Sequence, residues 1–312
     1  MSEQKQSPFA KAILGLLTET SLHAGTGQTV GVIDLPIQRE AATDYPCVFG
    51  SSVKGAMRGW AGRSGIMEPN LINLIFGPED DGAASEYASA LAVSDARLLL
   101  LPVRSLTTHF KWVTCPAVLK RFQADCQRLS ISSPAFEMNE VFNDENSAWV
   151  ATAPPQSNGL FLEEFRFKQV PSILIKDKLI PQIAQLMGRK EAVEMLTNQL
   201  VIIHDNMFRI ICKFATPVNA HIRLNKETKI VEQGALWYEE TLPSETLMYT
   251  CLLASHSRKQ KKEGGSVLDA TGVLAKTLEL FPENAPYLQL GGNETVGMGW
   301  CKVTQLKVVP PN

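Results

Sequence analysis

The pattern of apolar positions changes near the start of this chain from a continuous run to the spacing of a helix face. This change marks the first elements. Aliphatic and β-branched side chains run through residues 10–21, which predicts a strand. A polar, glycine-rich loop follows over residues 23–50. Apolar residues then recur at the spacing of a helix face, with Ser51 or Ser52 as the N-cap. The residues on this face are Val53, Ala56, Met57 and Trp60. The chain therefore begins with a strand, a loop and a helix.

The pattern predicts further elements up to residue 167. An apolar run over residues 98–101 predicts a strand that Pro102 ends. Pro116, just after Thr114, opens a helix with one apolar face. That face consists of Val118, Leu119, Phe122, Cys126 and Leu129. Residues 130–158 are rich in Ser, Asn and Pro and are predicted to form a loop or insertion before a strand over residues 160–167.

The second half of the chain continues the mixture of strands and helices. Asp205 is predicted to cap a helix that runs to residue 214. A long hairpin follows over residues 217–241, in which Ala220, Ile222 and Leu224 face away from His221 and Arg223. A strand over 246–254, a helix over 266–281 and a strand over 301–309 complete the chain, the last of them behind a glycine-rich loop at 291–299. This order predicts an α+β fold.

Composition limits the function classes without choosing one. The chain has 312 residues, 45% of them hydrophobic, which is enough for a substantial core. Its net charge of −2 means that any contact with a nucleic acid must depend on a local basic surface. The six cysteines lack the spacing of a metal site, and we expect them to be reduced thiols. The sequence shows neither a signal peptide nor an apolar run long enough for a membrane span, so we expect a cytoplasmic location.

One basic pair stands at the start of the first predicted helix. Lys54 and Arg58 are four residues apart beside the apolar face, and Gly55 and Gly59 leave room for another backbone to approach. The helix dipole and the free N–H groups of the first turn favour a phosphate at this end. The alternative is an ordinary pair of cations on a solvated face.

Several blocks of sequence resemble a known family. The first block runs from Leu22-His23-Ala24-Gly25-Thr26-Gly27 through Asp34-Leu35-Pro36-Ile37-Gln38-Arg39-Glu40 to Gly50-Ser51-Ser52-Val53-Lys54-Gly55. The later blocks are Trp112-Val113-Thr114-Cys115-Pro116, Gly234-Ala235-Leu236-Trp237-Tyr238-Glu239-Glu240 and Leu290-Gly291-Gly292-Asn293-Glu294-Thr295-Val296-Gly297-Met298-Gly299. In this order they resemble the RAMP superfamily of CRISPR proteins, and within it the repeated backbone subunit of the type III-B (Cmr) effector complex.

The resemblance implies a fold and an activity. It implies a single RAMP domain over residues 1–312, with a ferredoxin-like (RNA-recognition-motif-like) core, an insertion at about 130–158 and a protruding β-hairpin thumb at about 217–241. The implied partners are guide CRISPR RNA, target single-stranded RNA, further copies of the chain and other Cmr subunits, with no membrane. The implied activity is metal-dependent endoribonucleolytic cleavage of target RNA at regular intervals.

The resemblance also assigns roles to residues. It makes Asp34 the catalytic residue and a ligand of Mg²⁺ or another divalent cation, whereas in an arbitrary protein such an Asp more often hydrogen-bonds its own turn. Glu239 and His23 are secondary candidates, and His23 is more typical of a local hydrogen bond than of a general base. The expected RNA-binding residues are Lys54, Arg58, Ser51, Ser52, Arg39, Gly25 and Gly27.

Two other functions remain open from the sequence. One is an RNA-binding scaffold of the same complex that does not cut. The other is an endoribonuclease that matures the guide RNA, for which His23 is the available acid or base. The basic run at about 256–265 is predicted to be a solvated loop, with RNA or partner contact as the alternative.

Overall fold

The computed structural model describes residues 8–78, 87–106, 108–131, 144–152, 159–258 and 268–306. A large mixed sheet carries helices against it, and a separate two-stranded hairpin projects from it. The strands are β1 (Ala10–Thr18), β2 (Cys47–Val48), β3 (Leu91–Val93), β4 (Ala96–Arg104), β5 (Phe110–Thr114), β6 (Ser147–Val150), β7 (Leu160–Leu162), β8 (Phe165–Pro171), β9 (Leu200–Ile203), β10 (Val218–Leu224), β11 (Val231–Glu240), β12 (Leu247–Ala254), β13 (Tyr287–Gln289) and β14 (Trp300–Gln305). The helices are α1 (Gly50–Ser64), α2 (Pro69–Phe76), α3 (Pro116–Arg128), α4 (Ile180–Met187), α5 (Ala192–Gln199), α6 (Asp205–Phe214) and α7 (Ala270–Leu278).

The main sheet has the strand order β13-β14-β1-β12-β4-β5-β9-β6-β8-β7, with β2 beside β4 and β3 beside β12. Most pairs are antiparallel, and β5–β9 and β6–β8 are parallel. The α+β prediction is confirmed, and the core is the expected ferredoxin-like one. The strand predicted over residues 10–21 is β1, which lies between β12 and β14 and is buried along most of its length.

Close contacts fix the helices on this sheet. A Cβ at Gly15 of β1 would lie 2.3 Å from the carbonyl oxygen of Leu186 in α4, so only glycine lets these two backbones approach. On α3, the buried carboxylate of Asp125 accepts hydrogen bonds from Arg97 and Arg128, at 2.7 and 2.6 Å. It also accepts one from the hydroxyl of Tyr249 at 2.8 Å. A buried acid with three donors is satisfied and holds α3 in one orientation.

Helix α1 has the predicted apolar face, with Val53 and Met57 fully buried, but its predicted cap is wrong. The N-cap is Phe49, and neither Ser51 nor Ser52 caps the helix with its side chain. The N–H of Gly50 instead donates to Asp95 Oδ1 at 2.7 Å, so a residue distant in sequence performs the capping. At α6 the N-cap is likewise not Asp205 but His204, whose ring accepts from the N–H of Asn206.

Two further predictions about the elements are corrected. Pro102 does not end its strand, because β4 continues to Arg104 beyond the part that pairs with β12, and a proline is tolerated where one side of a strand is free. Residues 130–158 are not a loop throughout, since β6 lies within them and joins β8 to β9 in the sheet. Its four residues are all buried, and this burial stabilises the strand. The Asn- and Pro-rich residues around it predict a loop instead. Residues 132–143 and 153–158 lie outside the described part of the chain.

The region expected as one strand over 160–167 is a hairpin, β7–β8, which turns at Glu163. The predicted helix at 266–281 is shorter, as α7, and is capped by Asp269. All six cysteines are free, and burial raises the pKa of Cys47, Cys115, Cys126 and Cys301 to about 12. Among the described residues, no helix is long and apolar enough to cross a membrane.

Candidate active site

The loop between β1 and β2 lies against the base of the β10–β11 hairpin and pairs with it at Leu35. The N–H of Leu35 donates to the carbonyl oxygen of Tyr238 at 3.0 Å, and the N–H of Glu240 donates to the carbonyl oxygen of Leu35 at 3.0 Å. Leu35 thus pairs in parallel with Glu239 on the outer edge of β11. The hairpin and the loop that carries Asp34 are therefore one hydrogen-bonded unit.

Asp34 directly precedes Leu35, the residue that pairs with β11. Its Oδ2 accepts a hydrogen bond from the N–H of Tyr238 at 2.7 Å, and its carbonyl oxygen accepts one from the N–H of Thr29 at 3.0 Å. Among the residues that the structure describes, Oδ1 has no hydrogen-bond partner. The carboxylate is consequently oriented by the main chain and presents one oxygen for a ligand.

Asp34 opens onto a groove of about 520 Å³ between the loop and the hairpin. The residues lining the groove are Gln28, Thr29, Asp34, Leu35, Arg223, Glu232, Gly234, Ala235, Leu236 and Trp237. Polar groups and both signs of charge are present, while the flat ring of Trp237 supplies an aromatic surface. A groove with this lining suits a ligand that combines a flat ring with anionic or hydroxyl groups.

Arg39, an expected RNA-binding residue, has a structural role in this fold. Its guanidinium pairs with the buried carboxylate of Glu240 at 2.5 Å and donates to the carbonyl oxygens of Asp44 and Cys212. Glu240 also accepts from the N–H of Ile37 at 3.1 Å. Arg39 and Glu240 therefore bind the loop to the base of the hairpin, and an RNA contact of Arg39 stays a prediction without support from this geometry.

His23 is similarly enclosed by its own chain. Its Nδ1 lies 2.7 Å from the carbonyl oxygen of Glu240, and since a carbonyl only accepts, Nδ1 carries the proton and donates. A Cβ at Gly25 would lie 2.6 Å from Nε2 of the ring, and one at Gly291 would lie 2.2 Å from the His23 carbonyl oxygen. Two glycines thus allow the backbone to close around His23. Gly27, with φ of 92°, faces open space and remains a predicted RNA contact.

Glu239, the other secondary candidate, belongs to a different contact. Its carboxylate is buried and accepts from Asn293 Nδ2 at 2.9 and 3.0 Å, which joins the hairpin to the loop at 291–299. The carboxylates that line the Asp34 groove among the described residues are Asp34 and Glu232. Glu239 therefore supports the hairpin from the side of the glycine-rich loop, and a catalytic role for it stays a prediction.

Lys54 and Arg58 lie on α1, as predicted, and both contact their own chain. Lys54 Nζ donates to Ser89 Oγ at 2.5 Å, while Arg58 donates to Asn73 Oδ1 at 2.8 Å and to the carbonyl oxygen of Gly77. Burial, and then the neighbouring charge of Arg58, lower the pKa of Lys54. Arg58 therefore also caps the end of α2.

The structure brings Lys54 together with Ser51 in a second cavity of about 400 Å³, which Arg258 also lines. This cavity shares no lining residue with the Asp34 groove. The expected grip on phosphate and the expected catalytic carboxylate are thus two sites. Residues 259–265 of the predicted basic loop lie outside the described residues.

Trp237 is the aromatic residue that lines the Asp34 groove, and the sequence did not assign it to the site. It was part of the Gly234–Glu240 block, and its position opposite His221 in the predicted hairpin was the available signal. Within the described ranges, no group of three His, Cys, Asp or Glu side chains is arranged to hold a metal ion by itself.

Comparison with known proteins gives the family. The model of the RAMP superfamily matches residues 16–302. The Pyrococcus furiosus protein named CRISPR system Cmr endoribonuclease Cmr4 is 36% identical over 301 residues, which are 96% of this chain and 97% of that protein. The crystal structure of oligomeric Cmr4 from Pyrococcus furiosus has a TM-score of 0.71 at 29% identity and covers 96% of this chain and 100% of its own.

A chain of the cryo-EM structure of type III-B Cmr-beta bound to cognate target RNA has a TM-score of 0.73, covering 97% of this chain and 100% of its own. At 23% identity, that likeness concerns the fold alone. The family match and the 36% identity extend over nearly the whole chain and include every block that suggested the resemblance. The chain therefore belongs to the RAMP superfamily, and within it to the family of its Cmr4 relatives.

Proposed function

We propose that this protein is the repeated backbone subunit of a type III-B CRISPR effector complex, and that it cleaves target RNA paired to the guide. The observation that carries the proposal is Asp34, whose carboxylate is held by a main-chain N–H beside an open groove in a chain 36% identical to a protein named an endoribonuclease. Several copies would line the guide, as an oligomeric relative suggests. The proposed place of action is the cytoplasm.

In the proposed reaction, Asp34 acts on the target strand next to the phosphate that is cut. Its Oδ1 would supply one ligand to a divalent cation such as Mg²⁺, which commonly takes one or two carboxylates and fills its other positions with water and phosphate oxygens. Such an ion, when bound, neutralises charge that develops on the phosphate. The main-chain bond from Tyr238 engages Oδ2, so Oδ1 is the oxygen left for a ligand in the groove that Asp34 lines.

The experiment compares wild type with Asp34→Asn in a reconstituted complex with guide RNA and Mg²⁺. The amide keeps the size of the side chain but loses the charge that a cation needs. Wild type should cut complementary target at regularly spaced positions, one per copy, whereas the variant should assemble and bind target but leave it intact. Equal cutting by both proteins would mean that Asp34 is not the catalytic residue.

The same experiment decides between the remaining functions. If wild type binds guide and target but does not cut the target with any divalent metal, the protein is a scaffold. Maturation of the guide RNA would require His23, but its Nδ1 is engaged with Glu240 and its ring is covered by Gly25. Target cleavage through Asp34 is therefore the function that the geometry favours.

A further inference from the structure

The wall of the groove opposite the Asp34 loop carries an aromatic ring that the proposed reaction has not used. Trp237 belongs to β11 and is, like Asp34, one of the residues that line the groove. The chemistry assigned so far concerns a phosphate and a carboxylate, which leaves the base of the nucleotide without a partner. An aromatic ring is what bases of single-stranded RNA contact in many proteins.

The ring of Trp237 is held in one orientation. Trp237 lies directly opposite His221 in the hairpin, and the two rings are stacked with centroids 5.5 Å apart and planes 13° apart. His221 Nε2 in turn lies 3.8 Å from the buried carboxylate of Glu239. Asn293 fixes that carboxylate from the loop at 291–299. The indole is thus backed by the imidazole of His221, behind which lies the carboxylate that Asn293 fixes.

Such support matters because a fixed ring loses little conformational entropy when a ligand stacks on it. The apolar surface of the hairpin lies on the other face from this ring. Ile222 and Leu236 form the pair next to His221 and Trp237 and are half exposed. Side chains alternate between the two faces of a strand pair. The hairpin consequently offers an aliphatic face on one side and the His221–Trp237 stack on the other.

The other groups of the groove fit the rest of a nucleotide. Arg223 is a largely exposed cation whose nearest acid, Glu232, is 4.0 Å away, so it can turn toward a phosphate. Gln28 and Thr29 supply polar groups on the loop side. Stacking does not distinguish sequence strongly, because every base has a flat face. A platform of this kind therefore suits an enzyme that cuts wherever its guide directs it.

We propose that Trp237 stacks on a base of the target RNA and positions the neighbouring phosphate beside Asp34. This inference rests on the proposed function and names a positioning residue for it. Trp237 contacts the substrate, while the bond that breaks lies at Asp34. His221 holds the platform, and the guide supplies the affinity for the target.

The test uses the reconstituted complex in single turnover at saturating target RNA. Trp237→Ala should leave guide binding, assembly and target affinity unchanged, while the cleavage rate falls between about fivefold and a hundredfold, the range that a lost base stack corresponds to. Trp237→Phe keeps a flat ring and should stay within about threefold of wild type. Trp300→Ala is the matched control, because Trp300 is a partly exposed tryptophan on β14 that does not line the groove.

A second measurement separates stacking from a structural role. Target RNAs with a single abasic position are scanned through the cleavage interval, and wild type should slow at one position per interval. With the abasic target at that position, Trp237→Ala should cut as fast as wild type does, because the stack is already absent in both cases. A 2-aminopurine at the same position should be quenched in wild type and brighter in Trp237→Ala.

The outcomes distinguish this inference from the proposed function. If Asp34→Asn does not cut and Trp237→Ala cuts at the wild-type rate, the stacking role of Trp237 is wrong and the proposed nuclease function stands. Additive losses from the abasic target and Trp237→Ala also overturn the stacking role, as does equal 2-aminopurine fluorescence in the two proteins. If Trp237→Ala fails to fold, the abasic scan is carried out with wild type and Trp237→Phe. The platform is overturned if neither protein cuts more slowly at one abasic position per interval.

Discussion

Glu240 is a carboxylate that the fold keeps almost fully buried, and its partners come from several parts of the chain. It accepts from the guanidinium of Arg39, the N–H of Ile37 and the hydroxyl of Thr216, while its own carbonyl oxygen accepts from His23. Removal of one member of a buried pair leaves the other charge without compensation. The position of the Asp34 loop therefore depends on this residue.

We predict that Glu240→Ala lowers the free energy of unfolding by about 3–5 kcal/mol, the usual cost of breaking a buried ion pair. Urea unfolding followed by circular dichroism measures it. Glu294→Ala is the control, because Glu294 pairs with Arg63 where both side chains are about half exposed, and such pairs contribute less than about 1 kcal/mol. Equal losses in the two variants would contradict a special role for the buried pair.

At the scale of single elements, α1 combines a structural cation with one that faces a cavity. Arg58 holds the end of α2, whereas Lys54 contacts Ser89 and lines the second cavity with Ser51. Their substitution should therefore have different consequences for stability, even if both cations also contact RNA.

We predict that Lys54→Ala reduces the salt dependence of guide RNA binding by a slope of about 0.7, the value for one phosphate contact on a single strand. Arg58→Ala should reduce the slope similarly and also lower the free energy of unfolding by about 1–3 kcal/mol, because the partly buried acceptors on Asn73 and Gly77 lose their donor. Binding titrations over a range of salt concentrations and urea unfolding measure the two effects. Arg63→Ala, at the other end of α1, is the control. An unchanged slope in Lys54→Ala would remove this helix from the RNA interface.

The β10–β11 hairpin is the second element with a separate role. Its apolar face exposes about half of Ile222 and Leu236, which is unusual for a surface that contacts nothing. A neighbouring copy on the guide would cover this face, and the thumb role of the hairpin stays a prediction.

We predict that replacing residues 225–230 by a two-residue turn leaves a folded protein that no longer forms long assemblies on guide RNA. The strands are kept, so the Asp34 loop retains its bonds to Tyr238 and Glu240. Size-exclusion chromatography with guides of increasing length measures the assemblies. His221→Asn, on the opposite face, is the control and should assemble normally. An unchanged series of oligomers in the shortened variant would mean that the tip does not take part in assembly.

At the scale of the whole molecule, the site is built from segments that are distant in sequence. Tyr238 is 204 residues from Asp34, and Asn293 reaches Glu239 from near the end of the chain. Three of the sequence blocks that carried the resemblance meet here, around His23, Tyr238 and Asn293. The block at Trp112 does not, because that side chain is fully buried and donates to the Glu245 carbonyl oxygen.

This arrangement explains what the sequence predicts well. The strands β1 and β12 and the apolar faces of α1 and α3 follow from local periodicity, which the chain displays directly. The strand β6 depends on pairing with β8 and β9, and nothing local signals a partner. Asp34 was identified by resemblance, while its bond to Tyr238 and its neighbour Trp237 required the fold.

The bond that orients Asp34 comes from the main chain of Tyr238, and every amino acid except proline can donate it. Substitutions at position 238 would therefore leave the carboxylate in place, although the Tyr238 side chain belongs to the half-exposed face of the hairpin. Substitutions can then alter the face that we expect a neighbouring copy to cover while the bond to Asp34 is kept. If this face carries assembly, then assembly and cleavage can be changed separately by substitution at one residue, because the side chain of Tyr238 serves the first and its main-chain N–H serves the second.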